Sequence, residues 1–112
     1  MTTTRQNKVA RLVQKEIGDW FQRDGKVIFG NPLITVTTVR VTPDLSIARI
    51  YLSLFNATDK NKLLKDIEQN TSQIRKALGN RVKHQLRIVP QLEYFIDDSL
   101  DYAERIDQLL KK

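Results

Sequence analysis

Apolar residues recur at intervals of three and four positions along the first part of the chain. They are Val9, Leu12, Val13, Ile17 and Trp20. This spacing places them on one face of an α-helix, so the pattern predicts an amphipathic helix from about Arg5 to Phe21. Thr3 or Thr4 can cap its first turn. Residues 22–32 contain two glycines and a proline, and are predicted to form a loop.

After this loop the pattern changes to alternation. It predicts a strand from Leu33 to Thr42, rich in β-branched residues, and a second strand from Ser46 to Phe55. One face of the second strand consists of Ala48, Ile50, Leu52 and Leu54. The alternation of the first strand changes phase, which a β-bulge near 37–38 would reconcile. Pro43 and Asp44 are typical turn residues, so we expect an antiparallel hairpin.

Helical spacing returns in the second half of the chain. The shared face carries Leu63, Leu64, Ile67, Thr71, Ile74 and Leu78. Asp59 or the preceding threonine can cap this helix, which is predicted to run to about residue 78. Gly79 is predicted to end or bend it. Asn80 can then cap a short third helix, from Arg81 to about Leu86.

Two more elements are predicted towards the C-terminus. A strand from Gln91 to Ile96 follows Pro90, and the long link before it permits a crossover, so this strand can run parallel to a neighbour. A C-terminal helix is expected after Asp97, Asp98 and Ser99. Its apolar stripe consists of Tyr102, Ala103, Ile106, Leu109 and Leu110.

These elements predict an α+β domain in which the helices pack on one face of a three-stranded sheet. The chain has 112 residues, which is near the usual size of one domain. We expect residues 1–96 to form the body and residues 97–112 to form an acidic, amphipathic C-terminal helix. No strong dimer seam is visible in the pattern, so a monomer is expected.

Charge and composition narrow the function. The net charge is +6, and residues 1–91 hold 16 bases and seven acids, so an anionic partner is expected. No cysteine is present, His84 is the single histidine, and no phosphate-binding glycine motif or catalytic triad motif occurs. We therefore expect no metal, no cofactor, no small-molecule substrate and no enzymatic activity. No apolar run reaches the length of a membrane span and no secretory-type segment opens the chain, so a cytoplasmic protein without a membrane partner is expected.

The densest positive charge surrounds Gly79. Five bases lie within 13 residues, and no acid occurs between Glu68 and Glu93. The five are Arg75, Lys76, Arg81, Lys83 and Arg87. A glycine would let a phosphate approach the backbone, and the first amides of a following helix bind anions. A helix C-terminus stabilised by bases is the alternative, and it accounts for Arg75 and Lys76 only.

A second group of bases lies on the first helix. Lys8, Arg11 and Lys15 share a face away from the apolar stripe. They form either a ridge that contacts phosphates or an ordinary solvated face, and their spacing does not choose between the two. Aromatic residues make up 7% of the chain and none lies between Phe55 and Tyr94, so base stacking is not the evident mode of binding.

Two helices that meet at a glycine could also form a helix-turn-helix, but the third helix is short for a recognition helix. A helix, a kink and a helix between strands instead resemble the RNA-binding KH arrangement, whose GxxG loop clamps a nucleotide backbone. Here those positions read Gly79, Asn80, Arg81 and Val82, so the second glycine is missing.

Three segments together resemble the ribosome-binding factor A family, whose members assist assembly of the bacterial small ribosomal subunit. The segments are Arg5–Ile17, Val39–Tyr51 and Asp97–Ile106. The resemblance covers roughly Arg5 to Leu110 and implies a KH-like fold of type II. In that family an Ala-x-Gly kink replaces GxxG, and Ala77, Leu78 and Gly79 match it.

The resemblance implies a non-enzymatic factor that binds free small (30S) subunits through ribosomal RNA during late maturation and 16S rRNA processing. It also implies support of growth in the cold. The implied RNA-binding residues are Lys8, Arg11, Lys15, Arg75, Lys76, Ala77, Leu78, Gly79, Asn80, Arg81, Lys83 and Arg87. Two alternatives stay open: a protein-interaction module that uses the C-terminal helix, and a general RNA-binding protein.

Overall fold

The computed structural model describes residues 3–30, 33–55 and 57–98. Its elements are α1 (Thr4–Phe29), β1 (Ile34–Val41), β2 (Ile47–Leu54), α2 (Lys60–Gln69), α3 (Thr71–Val82) and β3 (Gln91–Ile96). The α+β class and the order of elements predicted for a KH-like domain of type II are confirmed. The predicted C-terminal helix lies outside the described residues, and the division of the chain at residue 96 stays a prediction.

The three strands form one mixed sheet in the order β1-β2-β3. β1 and β2 pair antiparallel as a hairpin, whereas β2 and β3 pair parallel because the chain crosses over through α2 and α3. The register of the hairpin shifts between Val36 and Thr38, which confirms the predicted bulge. The bulge keeps the apolar side chains on both halves of β1 on the same face of the sheet.

The helices cover one face of this sheet. Ala48, Ile50, Leu52 and Leu54 of β2 point into the core, and each is at most 1% exposed. The opposite face is open, and Tyr51 stacks there on Phe95 with ring centroids 5.2 Å apart. Next to this aromatic pair, Arg49 of β2 pairs with Glu93 of β3 at 3.2 Å. The helix-covered face therefore contains the core, and all three helices present their outer sides to solvent.

α1 extends eight residues beyond the predicted end at Phe21, so the prediction of a loop over 22–32 is wrong for residues 22–29. Gly25 lies buried inside the helix and packs closely against the Phe21 ring instead of breaking the helix. Phe29 contacts both Trp20 and Phe21, and this aromatic packing favours the extra two turns. Gly30 ends α1 with a φ of 80°, which a glycine adopts without strain.

The first turn of α1 is fixed to the sheet by one side chain. Thr3 and Gln6 form a capping box, in which each side chain accepts a hydrogen bond from the backbone N–H of the other. The Gln6 amide nitrogen also donates to the Val41 carbonyl at 2.8 Å. Gln6 is buried, so these bonds satisfy its polar atoms. They place the N-terminal half of α1 beside the end of β1.

The second helical region is interrupted at Asn70, not at Gly79. Asn70 has φ −96° and ψ 11°, and its side-chain amide donates to the Asp66 carbonyl at 2.8 Å. This local hydrogen bond competes with the regular helical pattern and separates α2 from α3 without a glycine. The kink between the two helices is therefore present, but the prediction that Ala77, Leu78 and Gly79 form it is wrong.

The short helix predicted over residues 81–86 is absent. α3 ends at Val82, and the Val82 carbonyl accepts hydrogen bonds from the backbone N–H groups of Gln85 and Leu86, both at 2.8 Å. Residues 83–90 continue to β3 without helix or strand, and we call them the α3–β3 segment. The predicted cap at Asn80 is also wrong, because Asn80 lies inside α3.

Tyr94 links the start of α3 to β3 and gives the fold a testable pH dependence. Its phenol lies 2.9 Å from the Thr71 hydroxyl, and burial raises the pKa of Tyr94 to about 12 from 10.0. The contribution of the neutral phenol to the free energy of unfolding is fully present below pH 10 and is lost as the pH rises towards 12. In denaturant titrations, the stability of the protein relative to Tyr94→Phe should fall by on the order of 2 kcal/mol across that window. If the free energies of unfolding of the wild type and of Tyr94→Phe changed in parallel with pH, the raised pKa of Tyr94 would be contradicted.

Candidate nucleic-acid interface

The three predicted bases of α1 all lie exposed in the N-terminal half of the helix. They are Lys8, Arg11 and Lys15. Neither Lys8 nor Arg11 forms an ion pair with any residue that the structure describes. Lys15 lies one turn before Asp19 and helps to lower the pKa of that carboxyl. These three bases, which we call the α1 stripe, are therefore available to an external anion. Arg5 extends the α1 stripe by one helical turn towards the N-terminus.

Arg81 is engaged inside the protein. Its guanidinium donates to the Asp19 carboxylate at 2.7 Å and to the Glu16 carboxylate at 3.3 Å, and this joins α3 to α1. The hydrogen bond from Arg81 is the main reason that the pKa of Asp19 lies below its usual value. The same two carboxylates raise the pKa of Arg81. Two acids thus neutralise one of the five bases around Gly79.

Arg75 also serves the fold. Its guanidinium donates to the carbonyl of Val89 at 2.6 Å and to the carbonyl of Pro90 at 3.0 Å. Charge-assisted hydrogen bonds of this kind are stronger than neutral ones. Arg75 therefore holds the end of the α3–β3 segment against α3, and its charge is directed at backbone carbonyls.

The three residues assigned to the kink, Ala77, Leu78 and Gly79, lie inside α3, as does Asn80. Leu78 is 2% exposed and belongs to the core, so its side chain is not accessible to RNA. Gly79 is partly buried, and a Cβ there would lie 3.3 Å from the Val89 side chain. The glycine therefore lets the α3–β3 segment pack closely on α3, which is a different role from the predicted backbone turn. Asn80 is exposed and Ala77 is partly buried.

The other three bases of the stretch are exposed, namely Lys76, Lys83 and Arg87. Lys76 lies on the part of α3 that faces Trp20 and Asp24, near the C-terminal half of α1. Arg87 lies near the N-terminal end of α1, where it lines a groove together with Arg5 and Lys8. The predicted single cluster is thus divided, and only part of it joins the α1 stripe.

Contacts between α1 and the chain after Leu78 show which bases share a surface. Arg81 contacts Asp19, and Arg87 lines the same groove as Arg5, so the chain from residue 81 to 87 runs along α1 towards its N-terminus. Lys83 lies in this stretch and is exposed. We define the basic surface as the exposed bases along this line, which form no ion pair within the described part of the chain: Arg5, Lys8, Arg11, Lys15, Lys83 and Arg87.

Sequence reasoning missed Arg5 and the groove beside it. Arg5 precedes Lys8 by three positions, so its helical spacing could have added it to the stripe. The groove has no such signal, because it forms where α1, the β1–β2 turn and the α3–β3 segment meet. Among the described residues, no group of three or more histidine, cysteine, aspartate or glutamate side chains could hold a metal ion. Within the same residues, no helix combines the length and the apolar character needed to cross a membrane.

Comparison with known proteins identifies the family. Residues 5–110 match the family model described as Ribosome-binding factor A. The chain belongs to this family. A ribosome-binding factor A from Cytophaga hutchinsonii is 46% identical over 112 residues, which cover all of this chain and 84% of the relative. One from Flavobacterium johnsoniae is 45% identical over 111 residues, 98% of this chain and 85% of the relative.

Solved structures of ribosome-binding factor A share the fold. The crystal structure of the Thermus thermophilus protein superposes with a TM-score of 0.68 at 21% identity, covering 81% of this chain and 94% of that one. A model of the Thermus thermophilus factor, fitted into an electron cryo-microscopy map of its complex with 30S, gives a TM-score of 0.65 at 22% identity. That match covers 80% of this chain and 91% of the other.

Proposed function

We propose that this chain is a non-enzymatic assembly factor that binds the free small (30S) ribosomal subunit through its ribosomal RNA. The observation that carries the proposal is the basic surface, where exposed cations from α1 and from residues 83–87 lie along one side of the domain. The cations of such a surface neutralise phosphates and release the counterions condensed on the RNA, which gives strong binding with little dependence on sequence. Lys8, Arg11, Lys15, Lys83 and Arg87 are the proposed phosphate contacts, with Arg5 as an addition.

Membership of the ribosome-binding factor A family supports this assignment, and so does the fold shared with the factor that was fitted into a 30S complex. From the same family we propose that the protein acts in the cytoplasm during late maturation and 16S rRNA processing, before the subunit enters translation, and that it supports growth in the cold. The kink at Asn70 is the proposed second contact, because Ser72 is exposed two residues after it and Lys76 is exposed one turn further along α3. Monomeric binding stays a prediction.

Sedimentation through sucrose gradients tests the proposal. The protein is expected to migrate with free small subunits and to be absent from the fractions that contain whole ribosomes. Competition with an unrelated structured RNA and with duplex DNA should leave this binding largely intact, because the subunit presents a matched surface. Equal distribution between free subunits and whole ribosomes, or complete loss to an unrelated RNA, would contradict the proposal and favour a general RNA-binding protein.

A further inference from the structure

A groove of about 480 Å³ opens where the start of α1, the β1–β2 turn and the α3–β3 segment meet. This volume lies within the range of roughly 300–1,000 Å³ that is usual for sites of small organic ligands. Its walls are apolar and consist of Val9, Leu12, Leu45, Leu86 and Ile88. Arg5, Lys8 and Arg87 also line the groove, so apolar walls are combined with a cationic rim.

One wall of the groove rests on an unusual backbone conformation. Leu45 has a φ of 63°, and it is the one residue other than glycine with a positive φ in the part of the chain that the structure describes. A bulky side chain rarely adopts this conformation, which costs free energy and persists only where the surroundings enforce it. Here they do, because the Leu45 N–H donates to the Thr42 carbonyl at 2.8 Å. The β1–β2 turn thus holds an apolar side chain at the groove where a glycine would be easier to accommodate.

The rest of the turn is equally well determined. The Asp44 carboxylate accepts hydrogen bonds from the hydroxyls of Thr42 and Ser46, at 2.7 and 2.8 Å, and from the Ser46 N–H at 3.1 Å. These bonds hold the pKa of Asp44 below its usual value. Asp44 is the single acid among the groove residues that the structure describes, and its carboxylate is directed into the turn. The rim therefore keeps an excess of positive charge.

We propose that this groove binds one unstacked nucleobase of an RNA strand whose flanking phosphates contact Arg5, Lys8 and Arg87. The inference rests on the proposed function and adds a base-binding subsite to it. Unpaired bases that leave the RNA stack are the usual targets of sequence-specific RNA recognition, and they stack on aromatic rings or on guanidinium planes. In this groove the apolar walls would instead bury one face of the base and remove it from water. Ile88 lines the groove and is 71% exposed, so its apolar side chain is accessible to a ligand there.

Charge favours a nucleotide over an apolar peptide as the occupant. A base carries a phosphate on each side, so one ligand satisfies both the apolar walls and the cations at the rim. Gln85 lines the same groove, and its side-chain amide offers a donor and an acceptor to the edge of a base. The groove is also continuous with the basic surface, because Lys8 belongs to both.

Two RNA hairpins that differ in one base test the proposal. One carries a single bulged adenosine, and the other carries an abasic residue at the same position, so their phosphates are identical. We expect the full chain to bind the bulged hairpin roughly tenfold more tightly in fluorescence anisotropy titrations, because the base buries apolar surface that the abasic residue lacks. Leu45→Gly, which removes a wall and relieves the backbone, and Ile88→Ala should both reduce this ratio towards one. Val27→Ala, at an 87% exposed position near the other end of α1, should leave it unchanged.

Equal affinity of the wild-type chain for both hairpins would overturn the base-binding groove, even if small subunits still bind. A ratio that survives both groove substitutions would overturn it as well. Absence of binding to both hairpins and to small subunits would instead overturn the proposed function itself. A photoreactive phenylalanine analogue at position 88 supplies a direct readout. In complexes with small subunits it should cross-link to ribosomal RNA, and a cross-link to a ribosomal protein or to residues 97–112 would refute the proposal.

Discussion

Reversing two charges on α1 should weaken binding to free small subunits strongly. The double variant Lys8→Glu, Arg11→Glu removes two exposed cations that have no acidic partner among the described residues, and it places two carboxylates opposite phosphates. We expect the dissociation constant to rise by roughly thirtyfold or more at about 100 mM salt, because each lost phosphate contact also loses its counterion release. The measurement is a titration of labelled protein with purified subunits.

A matched control exists on α2. Lys62 and Lys65 are exposed on that helix, and Lys62→Glu, Lys65→Glu changes the net charge by the same amount. This control should bind within about threefold of the wild-type protein if position matters more than total charge. Melting temperatures of both variants should stay close to that of the wild type, since all four side chains are exposed. Equal losses in the two variants would mean that the basic surface is not the contact.

Arg81→Glu should lower the melting temperature by several degrees, whereas Lys83→Glu should leave it nearly unchanged. The first substitution places a third carboxylate beside Glu16 and Asp19 and breaks the link from α3 to α1. The second changes an exposed side chain just beyond the end of α3. Thermal unfolding of the two single variants at neutral pH, followed by circular dichroism, makes the comparison.

The pH dependence of this difference gives an independent check. Arg81 lowers the pKa of Asp19. The stability that the Arg81–Asp19 pair contributes is therefore fully present above the ordinary carboxyl pKa and is lost as the pH falls through the lowered pKa. The gap in melting temperature between wild type and Arg81→Glu should therefore narrow as the pH falls below the ordinary aspartate range of about 4. Equal melting temperatures of the two single variants at neutral pH, or a gap that does not change with pH, would contradict the role assigned to Arg81.

The parts of the fold that follow from local pattern could be predicted. β2 alternates cleanly, and its inward residues are among the least exposed of the core. The phase change in β1 correctly located the bulge, because one extra residue keeps both halves of that strand facing the core. The exposed bases of α1 were also evident, since helical spacing separates them from the apolar stripe.

Glycine was the misleading signal. Gly25 and Gly79 lie inside helices, where the Phe21 ring and the Val89 side chain pack against them so closely that a larger residue would be crowded. The actual interruption is at Asn70, where a side-chain amide competes for a helical carbonyl. Composition alone does not distinguish a glycine that permits close packing from one that ends a helix.

The partners of Arg75 and Arg81 could not be predicted, because they depend on contacts across the fold. Arg81 meets an acid 62 positions earlier in the chain, and Arg75 meets carbonyls of the α3–β3 segment. A run of bases in the sequence therefore overstates the charge that is available to RNA. The groove beside α1 was equally hidden, because three separate segments contribute to it.

The salt dependence of binding tests the central claim most directly. The logarithm of the association constant for free small subunits should fall linearly with the logarithm of salt concentration between about 50 and 200 mM. Neutral substitutions Lys8→Gln and Arg11→Gln should make this slope shallower, by about 0.7–0.9 for each phosphate contact removed. A slope that is the same in the wild-type and the doubly neutralised protein would show that these cations do not contact ribosomal RNA phosphates.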